Sequence, residues 1–182
     1  MTKAIILSAG QGRRLLPLTK SVPKAALLTG RQSILEWQLE ELGKTQITEA
    51  VVITGFGADL IDQIVDKQKY LQCRTLYNPF YSSCDNLGTC WVAKEEMSAP
   101  YLLINGDTLF QSTIVTRLLE TPEVLPITLV TDTKTNYDED DMKVLTNGKR
   151  LSRVGKRLEI DDSQINGESI GMMRFNEEGA NL

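Results

Sequence analysis

The sequence of 182 residues predicts an α/β fold with a doubly wound, mostly parallel sheet and a C-terminal hairpin region. Two observations predict this architecture. Short continuous apolar runs, typical of strands buried on both faces, alternate with segments whose apolar residues recur at helical spacing. After residue 141 the alternation gives way to a hairpin pattern. Alternation of strands and helices favours right-handed crossovers with helices on both faces of the sheet, and we expect one domain over residues 1–182.

The individual elements follow this alternation in chain order. Apolar runs predict strands over residues 3–9, 50–55, 74–78, 101–106 and 126–132. Helical spacing predicts helices from Ser33 to Gly43, around residues 60–65, from Asp85 or Asn86 to about Met97, and over about 112–120. Ser33 and Glu36 have the spacing of a capping box. Asn147–Gly148 predicts a type I′ hairpin turn, and a last strand is expected over 169–175.

Composition excludes several classes of chemistry. The chain has no histidine, so a Ser-His-Asp triad, a histidine base and a histidine-ligated metal are all excluded. Its three cysteines lack a C-x-x-C spacing, which argues against a disulfide framework and a thiolate zinc site. A net charge of −4 argues against nucleic acid as a partner. No apolar run approaches the roughly 20 residues that span a bilayer, and we expect a cytoplasmic protein without a membrane partner.

The loop after the first predicted strand contains the strongest functional signal. Residues 7–24 read LSAGQGRRLLPLTKSVPK, and residues 1–35 hold six basic residues and no acidic one. Ligands of open α/β sheets bind beyond the carboxyl ends of the strands, where glycine backbone and basic side chains can hold phosphate oxygens. The loop matches neither a Rossmann G-x-G-x-x-G fingerprint nor a P-loop. It therefore predicts a site for an anionic ligand of another kind.

The order Gly10-x-Gly12-x-Arg14-Leu15-x-Pro17-Leu18-Thr19, followed by Pro23-Lys24, resembles the signature of nucleotidyltransferases. These enzymes join a nucleoside triphosphate to a phosphate ester and release pyrophosphate. Asn105-Gly106-Asp107 is similar to the strand-end aspartate segment of that family. The resemblance, which extends to about residue 175, implies the family's Rossmann-like fold.

The resemblance also implies roles for particular residues. Arg14 would hold the β- and γ-phosphates and the departing pyrophosphate, and Lys24 would neutralise charge around the α-phosphate. Asp107 would hold Mg²⁺. The nucleotide would lie on the loop backbone, within the stretch Leu7, Ser8, Ala9, Gly10, Gln11, Gly12 and Arg13. A general base is unnecessary because the attacking phosphate is largely ionised near neutral pH.

A second segment suggests the substrates. Asn78-Pro79-x-Tyr81 followed by Asp85-Asn86-Leu87-Gly88 is similar to the segment beside the base in the branch that acts on phosphocholine and related compounds. We therefore expect CTP and a small phosphorylated or phosphonylated alcohol or amine, with Asp85, Asn86 and Gly88 at the nucleotide. A cationic head group would be met by aromatic faces or carboxylates, for which Phe80, Tyr81, Tyr137 and residues 138–141 are candidates.

Alternatives remain open at this point. Asp107 could cap a helix, as could Asp85 and Asn86, and Trp91 and Met97 are expected in the core. The protein could instead be a sugar-1-phosphate nucleotidyltransferase that uses another nucleotide, or a non-catalytic nucleotide-binding descendant. The chain ends soon after residue 175, so the family's second acidic metal ligand is expected to be missing unless Asp161 or Asp162 replaces it. The sequence predicts no oligomeric state.

Overall fold

The structure, a computed structural model, describes residues 2–158 and 161–181, and the side chain of Asp162 lies outside the described set. The chain divides into two compact units. The first consists of Met1–Thr128 with Met173–Leu182, and the second of Leu129–Met172. Among the described residues, none of the helices is long and apolar enough to cross a membrane.

The first unit is built on a parallel sheet. Its strands are β1 (Lys3–Leu7), β2 (Glu49–Thr54), β3 (Gln72–Tyr77) and β4 (Tyr101–Asn105). They lie in the order β3-β2-β1-β4, each parallel to its neighbour. The register places Leu7 beside both Ile53 and Asn105. The carboxyl ends of the neighbouring strands β1 and β4 therefore meet at the same end of the sheet.

Three helices connect these strands and a fourth follows β4. They are α1 (Ile34–Gly43), α2 (Ala58–Lys67), α3 (Asn86–Val92) and α4 (Ser112–Leu119), together with short 3-10 helices at Arg13–Leu15, Lys24–Ala26 and Lys94–Met97. The predicted capping box of α1 is confirmed, because the Ser33 side chain accepts from the Glu36 N–H and the Glu36 carboxylate accepts from the Ser33 N–H. Alternating strands and helices thus confirm the predicted α/β fold.

Apolar side chains fill both faces of this sheet. On one face, Ile5, Leu7, Val51, Ile53 and Leu103 form a buried cluster with Ala93 and Tyr101. The Tyr101 and Phe175 rings stack with their centroids 4.5 Å apart. Ala4, Ile6 and Leu102 alternate with these residues along the strands and are fully buried as well. Burial on both faces explains why the strands read as continuous apolar runs.

The second unit contains the predicted hairpin region. Strands β5 (Ile127–Asp132), β6 (Lys143–Asn147), β7 (Arg150–Gly155) and β8 (Gly167–Phe175) belong to it in whole or in part. Strand β6 pairs antiparallel with β7 and with β8, and β5 pairs with β8. The chain of β8 then continues into the first unit. The predicted strand over 169–175 is confirmed within this longer element.

Three local expectations were wrong. The hairpin loop is Gly148–Lys149, because Asn147 pairs with Arg150, and only Gly148 has a positive φ, which is the type II′ rather than the type I′ pattern. The third helix ends at Val92 and is followed by a 3-10 turn. Trp91 is 71% exposed, with the Lys94 ammonium 4.9 Å from its ring centroid, so it is a surface residue rather than a core residue.

One ion-pair cluster joins three elements of the first unit. The Glu96 carboxylate accepts hydrogen bonds from Lys3 of β1 and from Arg74 of β3. The bond from Arg74, reinforced by that from Lys3, holds the pKa of Glu96 below its ordinary value. A depressed carboxyl pKa contributes stability that is present above the unfolded-state pKa and lost as pH falls through the folded-state pKa.

We predict that Glu96→Gln lowers the free energy of unfolding at pH 7 by about 1 kcal/mol. Because the contribution of Glu96 is lost as pH falls through its depressed folded-state pKa, the difference between wild type and variant should shrink progressively below about pH 4.3. Urea denaturation at pH 7, 5 and 3.5 measures this difference. The matched control is Glu95→Gln, since the Glu95 side chain is 86% exposed and lies 3.9 Å from Lys94. An equal effect of both substitutions would contradict the prediction.

Candidate functional site

The loop after β1 is folded back on itself. Gly12 has a φ of +75°, and a Cβ atom there would lie 2.8 Å from the Lys24 Cβ. The fully buried Thr19 donates from its hydroxyl to the Gly12 carbonyl at 2.9 Å. The Gln11 amide donates in turn to the Thr19 carbonyl at 3.1 Å. These contacts fix the loop, while Gly10 at its tip is exposed and has open space where a Cβ would stand.

The basic residues of the loop follow this turn. Arg13 and Arg14 lie in the 3-10 helix that begins directly after Gly12, and both are exposed. Lys24 begins the second 3-10 helix, which follows the buried Pro23. The loop therefore presents cationic side chains beside exposed glycine backbone, as the sequence predicts for a site that holds phosphate.

The Lys24 ammonium donates a hydrogen bond to the Asp107 carboxylate across 83 positions of sequence. Lys24 comes from the loop after β1, whereas Asp107 comes from the turn after β4. The two side chains are 31% and 38% exposed, so the pair borders solvent rather than lying in the core. The structure thus joins two residues that the resemblance assigns to one site.

The turn that carries Asp107 fits tightly against the end of β1. The Gly106 N–H donates to the Leu7 carbonyl at 2.9 Å. A Cβ at Gly106 would lie 2.3 Å from the Ser8 hydroxyl oxygen and 2.6 Å from the Leu7 carbonyl oxygen. Helix α4 begins at Ser112 with Gln111 as its N-cap. The alternative that Asp107 caps this helix is therefore wrong.

Helix α1 forms hydrogen bonds with the turn that carries Asp107 and with the residues that follow it. The Gln38 side-chain amide donates to the carbonyl oxygens of Asn105 at 2.9 Å and Thr108 at 2.8 Å. Farther along, the Trp37 indole N–H donates to the Phe110 carbonyl at 2.7 Å. The Glu41 carboxylate accepts from the Ser112 N–H at 2.6 Å.

The segment predicted to lie beside the base is organised by Asn78. This fully buried side chain donates to the Thr89 hydroxyl at 3.1 Å and to the Cys84 sulfur at 3.3 Å, and it accepts from the Phe80 N–H at 2.9 Å. One asparagine therefore bonds to both ends of the stretch between β3 and α3. A Cβ at Gly55, after β2, would lie 2.4 Å from the Tyr81 Cβ and 2.7 Å from the Ala9 carbonyl oxygen.

Asp85 and Asn86 have distinct local roles. The Asp85 carboxylate accepts from the N–H groups of Leu87 and Gly88 at 2.9 and 3.3 Å, so Asp85 caps α3 as one of the two interpretations predicted. The Asn86 side chain instead donates to the side-chain oxygen of Asn105 at 3.3 Å. Asn86 therefore links this segment to the end of β4. A contact of either residue with nucleotide stays a prediction.

A cavity of about 240 Å³ opens between the first loop and this segment. Its lining consists of Gln11, Arg13, Tyr81, Ser82 and Cys84. Three of these residues are among those the sequence assigns to nucleotide or substrate. A larger cavity of about 460 Å³ lies at the ends of β2 and β3 and includes Asp59 and Asp62. Two carboxylates make the larger cavity unfavourable for phosphate, so the smaller one is the better candidate.

The remaining predicted residues lie in the second unit. The Tyr137 hydroxyl accepts from the Lys134 N–H at 3.3 Å. Lys134 also forms an ion pair with Asp141, and its hydrogen bond lowers the pKa of Asp141 to about 2. Within residues 2–158 and 161–181, no group of three or more aspartate, glutamate or cysteine side chains could hold a metal ion. The side chain of Asp162, one predicted second ligand, lies outside the described residues.

Residues 3–133 match the family model described as "Nucleotidyl transferase". The chain belongs to the nucleotidyl transferase family. This match spans the loop after β1, the segment before α3 and the turn after β4, and it confirms the resemblance seen in the sequence.

Several members of the family are similar in sequence to this chain. The choline-phosphate cytidylyltransferase of Streptococcus pneumoniae is 33% identical over 110 residues, which is 60% of this chain and 47% of that protein. The CTP:phosphoglutamine cytidylyltransferase of Campylobacter jejuni is 27% identical over 94% of this chain and 72% of that protein. A putative UTP–glucose-1-phosphate uridylyltransferase of Methanocaldococcus jannaschii is 28% identical over 66% of this chain and 50% of its own length. The chain thus spans about half the length of two of these relatives.

Solved structures show the same fold. The inositol-1-phosphate CTP transferase from T. maritima superposes with a TM-score of 0.83 at 22% identity, over 100% of this chain and 73% of that one. At this identity the likeness concerns the fold alone, and it agrees with the Rossmann-like arrangement expected for a nucleotidyl transferase.

Sequence reasoning missed Gln38, Asn78 and the cavity-lining pair Ser82 and Cys84. Gln38 could have been found, because it falls on the buried face of α1, three residues after Leu35 and four before Leu42, where an apolar residue is expected. Asn78 was noticed only as part of a motif. Its bonds depend on the tertiary path of residues 79–89, which local patterns do not predict.

We predict that Gly106→Ala destabilises the first unit by about 2 kcal/mol or more, because the new methyl group would meet backbone and a buried hydroxyl that have no room to move. Gly10→Ala is the matched control in the neighbouring loop, where nothing lies within 4 Å of the new methyl group. Thermal denaturation of both variants measures the contrast. A Tm of Gly106→Ala equal to that of Gly10→Ala would overturn this account of the turn.

Proposed function

We propose that this chain transfers CMP from CTP to a small phosphorylated or phosphonylated alcohol or amine and releases pyrophosphate. The observation that carries the proposal is the pairing of Lys24 with Asp107 beside the glycine-rich loop. It brings together one cation and one carboxylate from the two segments that the family resemblance assigns to nucleotide and metal. The two cytidylyltransferases to which the chain is similar support the same conclusion.

The proposed reaction is an in-line attack of an acceptor phosphate or phosphonate oxygen on the α-phosphorus of CTP. A bond forms between these two atoms while the bond from the α-phosphorus to the bridging oxygen of pyrophosphate breaks. The acceptor arrives ionised, because the second pKa of a phosphate monoester is about 6. No side chain is required to remove a proton, which agrees with a chain that has no histidine.

The protein would contribute positioning and positive charge. Arg14, exposed in the 3-10 helix after Gly12, would hold the β- and γ-phosphates and then the departing pyrophosphate. Lys24 would exchange its bond with Asp107 for one with phosphate oxygens near the reacting phosphorus. The exposed backbone at Gly10 would accommodate the triphosphate. Fixed donors of this kind stabilise charge that develops in the transition state.

The residues also suit Mg²⁺ bound together with the nucleotide. Magnesium is commonly held by one or two carboxylates, the remaining positions being taken by phosphates and water. Asp107 offers one such carboxylate, partly exposed at the site. When bound, the ion would supply neutralisation of phosphate charge.

The proposal and its alternatives differ in which nucleotide and which acceptor the protein uses. Tyr77 and Tyr81 meet edge to face with ring centroids 6.4 Å apart, and Phe80 beside them is 61% exposed. Aromatic rings near the cavity favour a cationic amine or choline-like acceptor. The similarity to a putative UTP–glucose-1-phosphate uridylyltransferase favours a second candidate function, which is transfer from a nucleotide other than CTP to a sugar-1-phosphate.

The deciding experiment measures pyrophosphate release with Mg²⁺ and each of CTP, UTP, dTTP and GTP. Acceptors are phosphocholine, 2-aminoethylphosphonate and several sugar-1-phosphates. We expect release with CTP and a small acceptor, and a loss of about 100-fold or more in kcat/KM for Lys24→Met, because one charge at the reacting centre is removed. The matched control is Lys20→Met, an exposed lysine of the same loop, with activity near that of wild type.

Other outcomes would replace the proposal. Release only with a sugar-1-phosphate would favour the second candidate. Tight nucleotide binding without release in any combination would instead favour a non-catalytic nucleotide-binding protein. Full activity in Lys24→Met would remove the role proposed for the Lys24–Asp107 pair.

The proposed aromatic contact with the acceptor has its own test. We predict that Tyr81→Leu raises KM for a cationic acceptor about 3- to 30-fold, as expected for the loss of a cation–π contact, with KM for CTP changed less. Steady-state kinetics with phosphocholine and with an uncharged phospho-alcohol separate charge recognition from packing. Equal KM changes for the two acceptors would contradict a cation–π role, and unchanged values would exclude Tyr81 from the acceptor site.

A further inference from the structure

Helix α1 buries a polar side chain among leucines. Gln38 is fully buried, as are Leu35, Leu39 and Leu42 on the same face of the helix. Glutamine at such a position desolvates an amide that leucine or methionine would not carry. The position therefore needs an explanation other than core packing.

The two N–H groups of the Gln38 amide have separate partners. One donates to the Asn105 carbonyl at 2.9 Å and the other to the Thr108 carbonyl at 2.8 Å. These two residues flank Gly106 and Asp107. The Thr108 N–H in turn donates to the Asn105 carbonyl at 3.2 Å and closes the turn. Gln38 thus fixes both ends of the four-residue segment that carries the Asp107 carboxylate.

The other end of the same amide is unsatisfied. The Gln38 side-chain oxygen is buried and has no hydrogen-bond partner among the residues that the structure describes. Burying a carbonyl oxygen without a partner opposes folding. A residue selected for stability alone would avoid this cost, whereas one needed to hold the turn would retain it. Departures from the apolar pattern of this kind are expected at functional sites.

Gln38 bonds to a different part of the chain from Trp37 and Glu41, the other residues of α1 that bond to this region. Trp37 and Glu41 bond to Phe110 and Ser112, which lie beyond the turn. Only Gln38 among these three contacts the residues on both sides of Asp107. On the side of β1, the turn packs closely, because Gly106 leaves no room for a side chain beside Ser8. The turn is therefore held by the close contact of Gly106 with Ser8 and by the two hydrogen bonds of the Gln38 amide.

We propose that Gln38 is a positioning residue for nucleotidyl transfer, which keeps the Asp107 carboxylate in place beside Lys24 and toward the nucleotide-bound metal. The inference rests on the proposed function, since Asp107 must be positioned only if that reaction occurs here. Gln38 itself touches neither substrate nor reacting atoms. It acts through the backbone of Asn105 and Thr108.

The test is Gln38→Met, which keeps the approximate shape of the side chain and removes both donors. The Mg²⁺ concentration for half-maximal pyrophosphate release should rise about 10-fold or more, and kcat/KM should fall about 10- to 100-fold, as for other residues that orient a metal ligand. High Mg²⁺ should restore part of the lost rate. All measurements are made at least about 15 °C below the Tm of each variant, so that partial unfolding does not contribute.

Hydrogen exchange provides a readout that needs no activity. The Gly106 amide, bonded to the Leu7 carbonyl, and the Thr108 amide should exchange about 10-fold faster in Gln38→Met. Amides of β2 should keep their wild-type rates. The matched control is Gln68→Met, which also removes side-chain bonds to backbone, at Leu71 and Tyr70 after α2. That variant should leave both the Mg²⁺ dependence and the Gly106 exchange rate unchanged.

The outcomes separate this inference from the proposed function. A lower Tm for Gln38→Met with wild-type Mg²⁺ dependence and wild-type Gly106 exchange would make Gln38 a core residue and overturn the inference. If wild type transfers no nucleotide, the proposed function fails and the inference is overturned with it; the exchange rates then report only whether Gln38 holds the turn. If Gln38→Met does not fold, Gln38→Asn is used, whose shorter amide cannot reach both carbonyls, and the same shifts are expected.

Discussion

The candidate site depends on the parallel pairing of β1 with β4 in the first unit. Their register places Leu7 beside Asn105, so the chain leaves both strands at the same level of the sheet edge. The absence of a side chain at Gly106 then allows the turn after β4 to rest on the end of β1. This alignment brings the loop and the turn to the same end of the sheet, where Lys24 pairs with Asp107. A shift of one residue would turn each side chain to the opposite face of its strand.

Electrostatic balance at the site follows from this geometry. The Lys24 and Asp107 side chains border solvent and form an ion pair with each other. A partly exposed ion pair is weakly stabilising, so its partners can be exchanged at small cost. Under the proposed function, an anionic triphosphate would compete for Lys24 with a carboxylate at the solvent border rather than with a buried network. The same carboxylate would then be released to face a cation. The Lys24–Asp107 pair is thus suited to an anionic ligand that binds together with a cation.

The sequence contained most of the fold and the outline of the site, for a physical reason. Buried parallel strands require continuous apolar runs, and the capping box at Ser33 is a local interaction, so both are visible without tertiary information. The motif around Gly12, Lys24 and Asp107 was visible through family resemblance. Exposure of Trp91 was not visible, because helical spacing does not show which helices stay at the surface. The bonds of Gln38 and Asn78 were equally hidden, since their partners depend on how distant segments meet in space.

The close contacts of glycine in this site restrict how it can change. Gly12 lies against Lys24, Gly55 against Tyr81 and Ala9, and Gly106 against Ser8. The contact of Gly12 joins two parts of the loop after β1, whereas those of Gly55 and Gly106 each join different loops. A loop transplanted from a relative would therefore have to match its neighbours as well as its own strand ends. Evolution or engineering of acceptor preference would proceed more readily by exchanging outward-facing side chains, such as the exposed Phe80 and Ser82, on an unchanged backbone. The backbone of the site is thus constrained by close packing, whereas its exposed side chains are open to substitution.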